Sequence, residues 1–279
     1  RQVGSALMEP IRKEWGLDDR AMGALSTAFI LFYAVAGVPI GRLADRLPRK
    51  MILSAGVLLW SLMTAASGLA RGYWQLFATR LGVGLGEASC APAATSLIGD
   101  IIPAARRGSA MSIFMLGLPV GIAASYFVSG RIAQEHGWRA AFFVAGVPGI
   151  VCAIAALALR EPRRGGGEAA RSEDRKAAGS GQDRIAVPSG PTRPARTHSP
   201  YLTILSIPTM RWVILSGVFL NFNMYAIGGF LAAFLMRHHG LNIREAGDVS
   251  MVVFGFSGVP GLLLGGRAAD IIARRRADG

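Results

Sequence analysis

Charge is scarce in this 279-residue chain. Asp, Glu, Lys and Arg make up 17% of it, against about 25% in an ordinary soluble domain. Cysteine is scarcer still, with only Cys90 and Cys152. Both fall in long apolar runs, so they read as reduced packing residues rather than a disulfide. No phosphate-binding G-x-x-x-x-G-K-[ST] loop occurs, which excludes ATP-driven transport by this chain. The start, 1–20, is of mixed charge and is not a signal peptide. A His–Asp or multi-acid cluster near a membrane interface, as an embedded acyl or glycosyl transferase would need, is lacking. The chain therefore does not read as an enzyme. His238 and His239 have no clustered partner ligands, so neither metal nor cofactor is expected. The excess of 30 Lys and Arg over 17 Asp and Glu gives +13. The basic residues sit in short clusters between uncharged stretches, which argues against a nucleic-acid partner.

The stretches themselves carry the main signal. Crossing roughly 30 Å of hydrocarbon takes about 20 apolar residues. Charge is absent from 21–41, 51–70, 109–130, 140–159, 212–236 and 249–266. A seventh stretch, 73–99, is interrupted only by Arg80 and Glu87. One such run could be a buried core helix, but seven make an all-α membrane protein. The 36 glycines fit close packing of membrane helices. Between 163 and 199 Gly, Ala, Arg, Ser and Pro dominate, and such a segment cannot bury enough apolar surface to order itself. The expected organisation is a bundle over 1–160, a flexible cytoplasmic linker over 161–200, and the start of a second bundle over 201–279. The tight group Arg42, Arg46, Arg49 and Lys50 favours a cytoplasmic position for its loop. That would put 1–20 on the outer side and call for a further span before it.

After the first apolar run comes Gly41, Arg42, Ala44, Asp45, Arg49 and Lys50, and after the last comes Gly266, Arg267, Ala269, Asp270, Arg274 and Arg275. Both read G-R-x-A-D-x-x-x-R-[KR], displaced by 225 residues with six spans per period. A signature recurring every six spans implies two six-helix halves in parallel repeat, of which about seven of twelve helices lie in this chain. Residues 41–50 resemble the loop between the second and third helices of the major facilitator superfamily, G-x-L-A-D-R-x-G-R-[RK], departing from it at Pro48. The resemblance implies a major facilitator fold and a gating role for Gly41, Asp45, Arg46 and Arg49, which the repeat extends to Asp270 and Arg274.

A narrower resemblance runs over most of 1–160. Gly86, Glu87, Ala88, Ala91 and Pro92 are similar to the G-E-A-x-x-A-P stretch of Spinster-like transporters. Glu9-Pro10-Ile11, Gly137-Trp138-Arg139 and the stretch 141–149 resemble the same branch. That branch exports lipids and lysolipids, including sphingosine-1-phosphate, and some bacterial relatives are proton-linked. The resemblance implies a multi-pass protein of a bacterial inner membrane, with a lipid-like or organic anion as substrate and protons and membrane lipids as partners. In the family an acidic residue and an Arg end the first helix, and Arg1 matches that Arg. A permease for small organic anions or drugs is the alternative within the superfamily.

A charge at a helix centre in the membrane costs about 2.5–3.5 kcal/mol and is functional by default. Arg80, Gly84, Glu87 and Ala91 step by four, three and four, so they share one helical face. A carboxyl balanced between desolvation and a neighbouring cation can gain and lose a proton. Glu87 is therefore the leading proton-coupling candidate, with Arg80 as its modulator or as the anchor of an anionic substrate. The alternative is a static packing pair. Gly82, Gly84, Gly86 and Ala88 read as close helix contacts. Gly117, Pro119 and Gly121 resemble a family Gly-Pro bend. Asn221, Asn223 and Tyr225 are substrate-contact candidates, because an amide in hydrocarbon needs a partner.

Overall fold

A computed structural model describes residues 2–44, 46–102, 107–159, 161, 162 and 205–257, with backbone only at 107–109. Arg1, Asp45, Asp270 and Arg274 lie outside the described residues. So do the linker 163–199 and the second copy of the repeated loop.

Among the described residues the chain is all-helical: α1 (Gln2–Ala6), α2 (Met8–Trp15), α3 (Asp19–Ala44), α4 (Arg49–Ser67), α5 (Tyr73–Glu87), α6 (Cys90–Ile101), α7 (Arg107–Leu157), α8 (Pro208–His238) and α9 (Ile243–Ser250). A π-helical stretch, Met251–Phe256, continues α9. Each boundary has a local cause. The Asp18 carboxylate accepts the Ala21 N–H at 2.8 Å ahead of α3, satisfying a donor the helix cannot. Gly16 ends α2 in the left-handed conformation, with φ 61°, which glycine adopts without strain. Asn242 and Glu245 form a reciprocal capping box at the start of α9.

Among the described residues, four helical stretches are long and apolar enough to cross a membrane: Asp19–Ala44, Arg49–Ser67, Ala110–Leu157 and Pro208–His238. The third holds two of the expected spans, since Gly137 leaves the helical conformation at φ 81° and separates 109–130 from 140–159. The expected span 73–99 comes out as two helices, because a turn at Ala88–Ser89 splits α5 from α6. Pro92 explains the turn, since a proline ring clashes with the carbonyl four residues earlier, here that of Ala88. Within 2–15 the chain forms α1 and α2, and both Leu7 between them and Ile11 are almost wholly buried. Glu9, Arg12 and Lys13 satisfy one another as ion pairs, so the segment can enter the core.

Close approaches give the register. Ser54 donates to the Ala153 carbonyl at 2.7 Å, and a side chain at Gly146 or Gly149 would collide with Ser61. The second half of α7 thus runs antiparallel to α4. Gly86 meets Gly56, and Gly82 meets Met63, so α5 is also antiparallel to α4. The expected close contacts at Gly82, Gly84 and Gly86 are present. The first half of α7 runs antiparallel to the α9 region, where Gly247 abuts the Tyr126 carbonyl and Gly255 abuts Ala123. A buried cluster of Leu7, Met8, Ile11, Met22, Leu25, Leu76, Trp138 and Phe142 fills the end of the bundle near Glu9. The opposite end carries Arg49.

Candidate functional site

Between α1, α3, α5, the first half of α7 and α8 lies a cavity of about 400 Å³. Met22, Leu25, Phe29, Ile30, Leu118 and Ile122 give it apolar walls, and Arg80, Glu87, Ser125, Asn221 and Tyr225 supply polar groups. Arg80 and Glu87, two turns apart on α5, thus face one space, as their spacing requires. Asn221 and Tyr225 reach the same space from α8. Asn223 does not. It lines a neighbouring cleft with Leu220, Ile227 and Val253, because a two-residue step rotates it away from Asn221. The Asn221 amide donates back to the Gly217 carbonyl at 2.8 Å, which satisfies it within its own helix.

Arg80 is only 7% exposed. Its Nη2 donates to Ser67 Oγ, its Cζ sits 5.1 Å from the centre of the Phe142 ring, and Gly4 leaves the room beside Nη1. Ser67 in turn donates to the Met63 carbonyl at 2.8 Å and lies 2.9 Å from Thr79 Oγ1. The guanidinium is therefore held from α4 and α7 before any ligand arrives. Serines at 67 and 125 carry no charge and no motif in the sequence, and reading missed both. Gly117 and Gly121 also line the cavity, and a Cβ at either would meet open space. They widen the cavity in this arrangement instead of packing helix against helix.

At the Arg49 end, the expected gating residues divide. Arg46 is exposed, and a Cβ at Gly41 would meet nothing within 4 Å, so that glycine is not a site of close helix approach here. Arg49 is 3% exposed and densely bonded. Its Nε donates to Glu161 Oε1 at 3.0 Å, its Nη1 to Ser96 Oγ at 2.8 Å and to Asp100, and its Nη2 to the Pro162 carbonyl at 3.3 Å. Glu161 also accepts the backbone N–H groups of Arg49 and Lys50, capping α4 where the helix dipole favours an anion. Burial pushes the Glu161 carboxyl up, but the Lys50 and Arg49 donors outweigh it and hold it below the usual carboxylate range. Such a depressed pKa stabilises the fold above the ordinary carboxylate pKa, and that stabilisation is lost as acidity protonates Glu161. Removing one partner of a buried ion pair costs about 3–5 kcal/mol. Arg49→Ala should lower the melting temperature of the detergent-purified protein by several degrees, while Arg46→Ala leaves it unchanged. Equal melting of the two variants would reject the distinction.

At the Glu9 end, charges join α8 to α2 and α3, α9 to α7, and α2 to α7. Arg237 reaches Glu9 Oε2 at 2.7 Å and binds both Asp19 oxygens, at 2.7 and 2.8 Å. Arg131 meets Asp248 at 2.6 Å. Glu14 accepts from Trp138 Nε1 at 2.6 Å and pairs with Arg139. Arg139 and then Trp138 hold the Glu14 carboxyl below its ordinary pKa. Tyr126, wholly buried, ties α7 to α8 and α1, donating to the Gly228 carbonyl at 3.0 Å and lying 3.3 Å from Gln2 Oε1.

Known proteins are similar to this chain. An MFS-type efflux pump of Mycolicibacterium smegmatis is 30% identical over 276 residues, covering 99% of this chain and 59% of the pump. A sphingosine-1-phosphate transporter of Danio rerio is 34% identical over 170 residues, covering 59% of this chain and 34% of its own. The crystal structure of a bacterial homologue of the human lysosomal transporter Spinster, inward-facing and unoccupied, superposes with a TM-score of 0.78 at 29% identity, over 98% of this chain and 60% of that one. The chain spans about 59% of the pump's length. The sequence profile of the Major Facilitator Superfamily matches residues 3–277, and with the helical architecture this makes the chain a member of that transporter superfamily, similar to its Spinster-like proteins.

Proposed function

We propose that the chain is the substrate-bearing part of a secondary transporter that works by alternating access. The substrate is an amphipathic anion and protons are the coupling ion. One observation carries the reading: a cavity at membrane depth has apolar walls on most sides and holds a buried cation and a carboxyl on one face of α5. An apolar wall suits a lipid-like tail, and a guanidinium suits a carboxylate or phosphate. Arg80 is in this reading the substrate anchor, and Glu87 the group that exchanges a proton as access changes sides. The similarity to a sphingosine-1-phosphate transporter supports a lipid-like substrate. The similarity to an efflux pump over 99% of the chain supports the second reading, a permease for smaller organic anions or drugs.

The buried contacts at the Glu9 end form the closed gate of this conformation, and the bonds around Arg49 form part of the opposite gate. The roles of Asp45, Asp270 and Arg274 follow from the repeated loop, and that of Arg1 from the resemblance alone. The experiment is flux in proteoliposomes with and without an imposed pH gradient, using a long-chain phosphate and a short organic acid as competing substrates. Gradient-driven uptake of the long-chain anion is expected. Flux indifferent to the gradient rejects proton coupling, and preference for the short acid favours the permease.

A further inference from the structure

Two polar atoms buried at the cavity have no hydrogen-bond partner among the described residues: Arg80 Nε on α5 and Ser125 Oγ on α7. Buried polar groups in folded proteins are nearly always satisfied, and an exception calls for an explanation. The serine has a neutral alternative available, since a hydroxyl in the first half of α7 can bond the carbonyl four residues back within its own helix. Ser61, Thr64, Ser67 and Thr95 all do this. Ser125 does not. Arg80 is similarly incomplete, since Ser67 and Phe142 fix its Nη2 and its face while leaving Nε unpaired.

We infer that Ser125 is a specificity-determining residue: its hydroxyl and Arg80 Nε together hold an anionic head group with at least two acceptor oxygens, a carboxylate or a phosphate. This rests on the reading of the cavity as a substrate site and adds to it a second, uncharged contact from a different helix. The two donors play different parts. Arg80 supplies the charge that any anion satisfies, while a single hydroxyl selects for an oxygen at a second position. The remaining walls include Leu118, Ile122, Met224 and Phe254 beside the polar Glu87, Asn221 and Tyr225, so an apolar tail has a surface to lie on.

The test uses the purified protein in detergent with decyl phosphate, decanoate and 1-decanol as probes, read by ligand-induced shift of the melting temperature and by titration. Ser125→Ala should leave the ligand-free melting temperature unchanged or raise it, because it deletes a buried hydroxyl that bonds nothing. It should weaken decyl phosphate or decanoate about tenfold, the loss of one hydrogen bond to a charged group, and leave 1-decanol unaffected. Ser125→Thr, which keeps the hydroxyl, should restore anion binding. Whichever anion binds wild type more tightly names the head group. Overturning results are Ser125→Ala binding the anions as wild type does, or melting several degrees lower without ligand, the mark of a packing role. Arg80→Ala separates the two levels. If it loses anion binding while Ser125→Ala keeps it, only the assignment of Ser125 falls. If both keep it, the cavity is not the substrate site.

Discussion

Glu87→Gln should abolish the response of net transport to an imposed pH gradient while exchange of bound substrate survives. The substitution keeps the size and hydrogen-bonding capacity of a protonated carboxyl but removes its ability to ionise. Glu87 lies on the cavity wall of α5, where leaving a carboxylate without compensation is costly. In the proposed cycle it would alternate between neutral and charged forms as the cavity changes sides. Arg80→Ala should act differently: anionic substrate binds more weakly, while the response to the gradient persists. Loss of one charge-assisted hydrogen bond is worth about 1.5–3 kcal/mol, or about 10- to 150-fold in affinity. Flux in proteoliposomes at several imposed gradients, for wild type and both variants, separates these effects. A Glu87→Gln protein that retains the wild-type gradient dependence would be the contrary result, leaving Glu87 as a packing residue.

Gly247→Leu is expected to trap the protein with its Glu9 end open. A Cβ at Gly247 would come 2.8 Å from the Tyr126 carbonyl, and one at Gly130 would come 3.0 Å from the Ile243 carbonyl. Backbone meets backbone along this seam, so no side-chain rearrangement makes room. Overpacking a close contact costs about 1–3 kcal/mol, a population shift of roughly 5- to 150-fold. Spin labels at 131 and 248, which face each other as an ion pair, report the separation. The short distance should dominate in the parent and a longer one in the Gly247→Leu variant. Arg237→Ala, which unties Glu9 and Asp19 together, should move the same equilibrium in the same direction, since the buried Glu9 carboxylate then keeps only Arg12 and Lys13 as partners. Unchanged distances in Gly247→Leu would show that the seam does not open.

What could be read from the residues and what could not divides along a physical line. Charge-free run lengths reflect the thickness of hydrocarbon, a constraint on each segment alone, so 21–41, 51–70, 109–130, 140–159 and 212–236 were legible with boundaries close to those found, while half of 249–266 lies outside the described residues. The common placement of Arg80 and Glu87 followed from helical periodicity, which is equally local. The turn at Ala88–Ser89 was legible in principle from Pro92 and was passed over because the run looked continuous. Arg49 could be singled out but not its partners: Asp100 and Glu161 stand 51 and 112 residues away, and only packing brings them together. The burial of Glu9 and its neighbours was hidden for the same reason, since Glu9 and Arg12 look like surface residues until Arg237, 228 positions on, closes the network. Ser125 had no signal at all. Its distinction is a bond it does not make.

The two ends of the bundle also differ in what surrounds their charges. Arg49 is almost wholly shielded, whereas Arg237, Arg131 and Asp248 are about a quarter to two-fifths open to the medium and Asp19 more than half. Dissolved ions screen exposed charges, with a Debye length of about 8 Å at physiological strength, and reach buried ones far less. The two ends of the bundle are therefore electrically unlike. Salt at the Glu9 end is expected to loosen its exposed contacts more than salt at the other end loosens the shielded Arg49 guanidinium. In the proposed alternating cycle, the ionic composition of one compartment would then bias which way the cavity faces, without any ligand entering it.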